Sequence, residues 1–155
     1  MKSSLLALTL ALGTFTASAG TNVQLFLKGT VPVVLDLSIV KTPAAETLDL
    51  SKALSNEKVA TITETSNSVT GYKIKAKSSN NGKLVNAGDI NSFVSYALSY
   101  NNQSVNLNQN YSEITGTSST QRGTFNRDVK ISYSQPANLA SGVYSDTVEF
   151  MIEAN

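Results

Sequence analysis

Segment after segment of this chain alternates apolar and polar residues at a period of two, the spacing at which one face of a β-strand meets a core and the other meets water. KVATITET sets Val59, Thr61 and Thr63 against Ala60, Ile62 and Glu64, and GYKIKAKS sets Tyr72, Ile74 and Ala76 against Lys73, Lys75 and Lys77. FVSYALSY offers Val94, Tyr96, Leu98 and Tyr100 to one face of a single strand, and DVKISYS offers Val129, Ile131 and Tyr133. YSDTVEFMIEA places Val148, Phe150, Ile152 and Ala154 opposite Thr147, Glu149, Met151 and Glu153. Between these runs lie SSNNGK, NAGD, SYNNQS and TGTSSTQRG, rich in the Asn, Gly and Ser that turns require. Helix signals are weak. The best is AAETLDLSKALS, where Leu48 and Leu50 at spacing two suit a short strand followed by a turn equally well, and that reading is preferred. Strands punctuated by turns, with no helices alternating between them, predict an all-β antiparallel sandwich.

The first nineteen residues, MKSSLLALTLALGTFTASA, carry one positive charge at Lys2, an apolar run and small residues at Ala17 and Ala19. That is the pattern of a secretory signal peptide cleaved after Ala19. Loss of Lys2 with this leader leaves eleven basic and eleven acidic residues, so nothing favours nucleic acid or an anionic membrane as a partner. No later run is long and apolar enough to predict an integral membrane segment. The remaining residues suit one domain, with no repeat and no boundary to a second. Cysteine is absent, so stability must come from the core or from a partner strand.

Histidine is absent too, which removes the commonest general base and metal ligand, and the chain is read as a non-enzyme with no cofactor and no metal. A Ser/Lys hydrolase would need a lysine beside a serine in a deep pocket, and no nucleophile motif marks one. NNGKL, Asn80 to Leu84, shares only a Gly-Lys pair with a phosphate loop and reads as a hairpin turn. Asp89 in NAGDINS lacks the companion carboxylates of a calcium loop. Lys73, Lys75 and Lys77 read as a solvated sheet face, with contact to an anionic surface as the alternative. The sequons at Asn102 and Asn110 read as exposed loops.

The segment GTNVQLFLKGTV, residues 20–31, is the anomaly. Val23, Leu25, Leu27 and Val31 share one face, with Gly29 continuing it without a side chain. Burying four such side chains would contribute about 6–12 kcal/mol, more than a solvated tail would forgo. Two outcomes are open: the segment pairs within its own sheet, in a self-contained monomeric coat or binding module, or it completes the sheet of another molecule.

LFLKGTV (Leu25 to Val31) resembles the N-terminal extension of chaperone–usher pilus subunits. LASGVYSDTVEFMIEAN (Leu139 to Asn155) resembles the final strand of archaic pilins and the related spore coat U domains, with Gly142, Tyr144, Asp146 and Thr147 ahead of an alternating last strand. ETLDLSK, ATITETSNSVTGYKIKAKSSNNG and VSYALSYNNQSVNLN fall in the same order as the corresponding family segments, so the resemblance spans essentially the mature chain. It departs from the archaic pattern in one respect. That family commonly joins its first two core strands by a disulfide, whereas LDLSI and TITET here contain no cysteine, as in other chaperone–usher classes.

The resemblance implies three segments: a leader over residues 1–19, a donor strand over 20–31, and an incomplete Ig-like sandwich over 32–155. It implies donor residues Val23, Leu25, Leu27 and Val31, with Gly29 where backbones approach closely. Val148, Phe150 and Ile152 would line the acceptor groove on the strand that a chaperone pairs with, and Gly142 and Tyr144 would form a structural corner. The implied function is a surface pilus or fimbrial subunit, in adhesion or biofilm, exported through the periplasm. Its implied partners are neighbouring subunits, a periplasmic chaperone and an outer-membrane usher, joined through donor-strand exchange.

Overall fold

The computed structural model describes residues 20–116 and 120–155. The expected leader lies outside the described residues, as does the middle of the TGTSSTQRG turn. The chain divides into two units, residues 1–31 and residues 32–155. In the described part of the first, no strand forms, and Val23, Leu25, Leu27 and Val31 are each more than four-fifths exposed.

The second unit is all-β and antiparallel, with no α-helix among the described residues. Its strands are β1 (Leu35–Lys41), β2 (Leu54–Ser66), β3 (Tyr72–Ser78), β4 (Lys83–Asn86), β5 (Phe93–Ser95), β6 (Ala97–Tyr100), β7 (Gln103–Val105), β8 (Ser112–Glu113), β9 (Gly123–Tyr133), β10 (Tyr144–Ser145) and β11 (Val148–Ala154). One sheet runs β1-β2-β9-β6-β7, a second β11-β3-β8, and a small third β10-β4-β5. The inward residues of the first two share one core: Ala60, Ile62, Leu98, Tyr100, Val129 and Ile131 from one, Tyr72, Ile74 and Ala76 from the other. That is a sandwich. Its strand interiors are rich in Val, Ile, Thr and Tyr, whose branched or flat side chains pack well on a pleated surface.

The two ends of the sandwich differ. At one, residues 32–34 lead into β1, the Asn67–Gly71 loop joins β2 to β3, and the chain terminates, with Asn155 N donating to the Gly71 carbonyl at 3.3 Å. At the other, β1, β3 and β9 run out and β11 begins. There the loops around residues 42–53, 87–92 and 134–143 gather: Ala87 N donates to the Val143 carbonyl at 3.0 Å, and the Tyr133 hydroxyl donates to the Asp49 carbonyl at 3.0 Å.

Three sequence expectations are corrected. Leu48 and Leu50 lie in no strand; Pro43–Ala45 forms a 3-10 turn, and the Asp49 carboxylate then accepts from Ser51 N and Oγ. An aspartate that bonds its own downstream backbone favours a turn over a ladder. FVSYALSY is two strands in two sheets, broken at Tyr96, whose N–H goes to the Gly82 carbonyl and whose hydroxyl goes to Asp146. Val94, Leu98 and Tyr100 stay buried through the change, which is why period two concealed it. The NNGKL turn joins β3 to β4 but is no hairpin, because β4 pairs with β10 and β5 instead.

Candidate functional site between the first and last strands

Leu35, Leu37 and Ile39 point inward from β1, yet Ile39 remains 53% exposed. Val148, Phe150 and Ile152 point inward from β11, opposite Ser78, Ala76 and Ile74 of β3, and are only half-buried. Both shortfalls have one cause. β1 pairs on one side with β2 and β11 on one side with β3, and each ends its sheet, so their other edges are unpaired. The two edges approach each other and leave a groove between the sheets.

Two adjoining cavities make up this groove. One, of about 290 Å³, lies among Leu37, Ile39, Ile62, Val148 and Phe150. The other, of about 270 Å³, continues from Ile39 and Phe150 toward Lys41 and Asp146 over a floor that includes Ala60, Leu98, Val129 and Ile131. The lining is mostly apolar, with Lys41, Glu46, Asp146 and Glu149 at its margins, and the rims are free backbone, the combination an added strand recognises.

A buried ionic network lies beside this groove. Glu64, 1% exposed, stands opposite Leu37 on β2. Its carboxylate accepts from the Tyr72 hydroxyl at 2.8 Å, the Tyr100 hydroxyl and Arg127 Nε at 3.1 Å. Burial and the bond to Glu64 push the Tyr100 phenol well above its ordinary value. The Tyr100 ring packs against Phe150 with centroids 5.7 Å apart, linking the network to the groove wall. Three donors from three strands hold this buried carboxylate in place.

Gly142 and Tyr144 fall at the far end. The Tyr144 hydroxyl donates to the Ala140 carbonyl at 2.7 Å and lies 2.6 Å from Ser92 Oγ, tying the 134–143 loop to the start of β5. Gly142 has φ +150°, a backbone that residues with a Cβ rarely adopt, and a Cβ there would meet Asn86 Nδ2 at 2.7 Å, so a side chain would be strained and would displace the buried Asn86 amide. Asp146 accepts from Ser78 Oγ, the Tyr96 hydroxyl and Asn80 N, anchoring the entry to β11.

Other candidates resolve as scaffold. Ser78 Oγ accepts from Asn80 N and Gly82 N, so the Gly-Lys turn spends its amides on its own serine. Asp89 is exposed and accepts from Asn91 N; among the described residues no group of three or more His, Cys, Asp or Glu could hold a metal. On the outer face of β3, Lys75 pairs with Glu153, and Lys77 reaches Glu149 at 3.1 Å beneath the Tyr111 ring. Asn102 and Asn110 are exposed. A wider depression of about 570 Å³ beside Tyr96 is lined by Ser55, Ser95, Ser132 and Ser134 without a lysine. Among the described residues no helix is long and apolar enough to cross a membrane.

The sequence reading assigned groove residues on β11 and none on β1, although Leu35, Leu37 and Ile39 in LDLSI alternate over as long a run as Val129, Ile131 and Tyr133 in DVKISYS. It also passed over Glu64, whose signal was present: a carboxylate on the apolar side of TITET has to find buried donors. The donor residues Val23, Leu25, Leu27, Gly29 and Val31 lie in the other unit, exposed, and a side chain built at Gly29 meets nothing within 4 Å. No protein-family model matches the chain, and a search of curated proteins returns no match.

Proposed function

We propose that this chain is a structural subunit of a surface pilus or fimbria, assembled by donor-strand exchange. The carrying observation is a pair of unmet halves: an apolar groove rimmed by the free edges of β1 and β11, and an alternating segment, Val23 to Val31, that forms no strand. A strand laid in such a groove makes backbone bonds along the free edge and sends alternate side chains into the core. Val23, Leu25, Leu27 and Val31 of one subunit would fill the groove of the next, and Gly29 would let the two backbones close where a side chain would hold them apart. Because donor and acceptor surfaces differ, the contact is heterologous and propagates as a fibre.

On this reading the sandwich is Ig-like and lacks its last strand. A periplasmic chaperone covers the groove before assembly, and an outer-membrane usher passes subunits to the cell surface. The role is architectural, in adhesion or biofilm, and asks for no catalytic group or cofactor.

The test is a mature chain lacking residues 20–31. It is expected to accumulate as monomers or chaperone complexes, to form no multimers, and to gain thermal stability when a peptide of sequence GTNVQLFLKGTV is added. A deletion variant whose melting temperature ignores the peptide would sink strand exchange.

A further inference from the structure

Val31, the last donor residue, is followed directly by Pro32, and Pro32 is already tied down: Asn67 Nδ2 donates to its carbonyl at 2.9 Å. Asn67 also accepts from Val34 N at 2.7 Å through Oδ1 and donates its own N–H to the Val34 carbonyl at 3.2 Å. One side chain thus extends the β1–β2 ladder back to the proline. Pro32 fixes its own φ and biases Val31 toward extended backbone. A Val31 seated in a neighbouring groove therefore brings the donor's own sandwich within about one 3.8 Å peptide step of that neighbour.

Which ends meet follows from strand direction. Every ladder in the structure is antiparallel, and antiparallel pairing is the more stable per residue. A donor antiparallel to β11 finishes beside Val148, at the far end of the acceptor. Both ends carry exposed apolar side chains where this docking needs them. Beside Pro32 and Asn67 stand Val33 and Val69, 68% and 78% exposed. At the far end Ile90 and Val143 are 79% and 74% exposed, on loops joined by the Ala87–Val143 backbone bond. Single exposed aliphatic residues are ordinary; two pairs at the two surfaces that strand exchange would press together are not.

Resting on the strand-exchange reading, we infer that consecutive subunits also dock body to body, with Val33 and Val69 of one subunit against Ile90 and Val143 of the next. The partner is a second copy of this chain. The contact turns a chain of beads on strands into a rod with a fixed angle at each joint.

The absence of cysteine makes the test clean. Two double variants of the full chain, Val69→Cys with Val143→Cys and Val33→Cys with Ile90→Cys, are assembled in the native host and oxidised. At least one is expected to give a ladder of disulfide-linked multimers that collapses on reduction, while each single variant gives none. Covalent dimers from Val69→Cys alone would join like ends and overturn the proposed docking. Multimers of the unmodified chain, scored separately by electron microscopy, with no ladder from either double variant would also overturn it while leaving strand exchange intact. An unmodified chain that forms no multimers would take both down together.

Discussion

Two stretches of this protein carry the same alternation and meet different fates. Val148, Phe150 and Ile152 lie in β11, paired along its whole length with β3, half-buried and backed by the Tyr100 ring. Val23, Leu25 and Leu27 form no strand and face solvent. A period-two pattern states which side chains a strand can bury and leaves open which strand it will lie beside. β11 has a partner supplied by its own chain on one edge only. The extension has the same need, and under the strand-exchange proposal its match is the edge that β11 leaves open.

The largest expected effect lies on the fixed side of this contrast. Glu64→Ala removes the acceptor shared by Arg127 and two phenols, and should cost about 3 kcal/mol in urea unfolding, the lower end for a broken buried pair because Arg127 keeps a quarter of its side chain in solvent. A loss under about 1 kcal/mol would mean the groove floor does not depend on the network. Next comes a matched pair of substitutions. Phe150→Ala should destabilise the monomer by about 2 kcal/mol, less than a fully buried phenylalanine, whereas Leu25→Asp should change monomer stability by no more than ~0.5 kcal/mol and still abolish multimers. Gly29→Leu should follow Leu25→Asp, since nothing in its own chain crowds that position. Equal monomer losses from Phe150→Ala and Leu25→Asp would erase the contrast.

The smallest effect is electrostatic. The Lys77 ammonium beside Glu149, helped by the Tyr111 hydroxyl, and the Lys75 ammonium beside Glu153 hold both carboxyls below their ordinary value of 4.5. Groups depressed on folding add stability that is complete above that value and lost as pH falls through their lowered values. Melting temperature followed from pH 7 down to about pH 3 should therefore drop less steeply in a Lys75→Gln, Lys77→Gln variant. Deleting residues 20–31 should leave that slope unchanged, because Lys28 is the only titratable side chain among them.

Much of the architecture was legible in the sequence. GYKIKAKS and DVKISYS bury the face their alternation announced, and the last strand half-buries Val148, Phe150 and Ile152. The reading failed where local chemistry outweighed period: Asp49 bending its own backbone, and Tyr96 bonded to Gly82 and Asp146 so that one apolar run serves two sheets. The groove was half legible. β11 declares itself through Val148 and Phe150, whereas Ile152 lines neither cavity, and the floor belongs to strands whose order in the sheet no local pattern encodes. Glu64 shows the remaining gap, since an inward carboxylate announces that donors exist without saying which strands deliver them.

β1 is attached to the rest of the fold more lightly than any other wall of the groove. It is held by one ladder to β2, without a covalent tie, and most of its side chains are exposed. Segments with so little apolar burial exchange their amide hydrogens by local opening, well below the energy of global unfolding. On burial alone, β1 is expected to open before β11. An incoming strand bulkier than Val23 to Val31 would be accommodated by displacement of Leu35–Lys41, leaving the Phe150–Tyr100–Glu64 side in place.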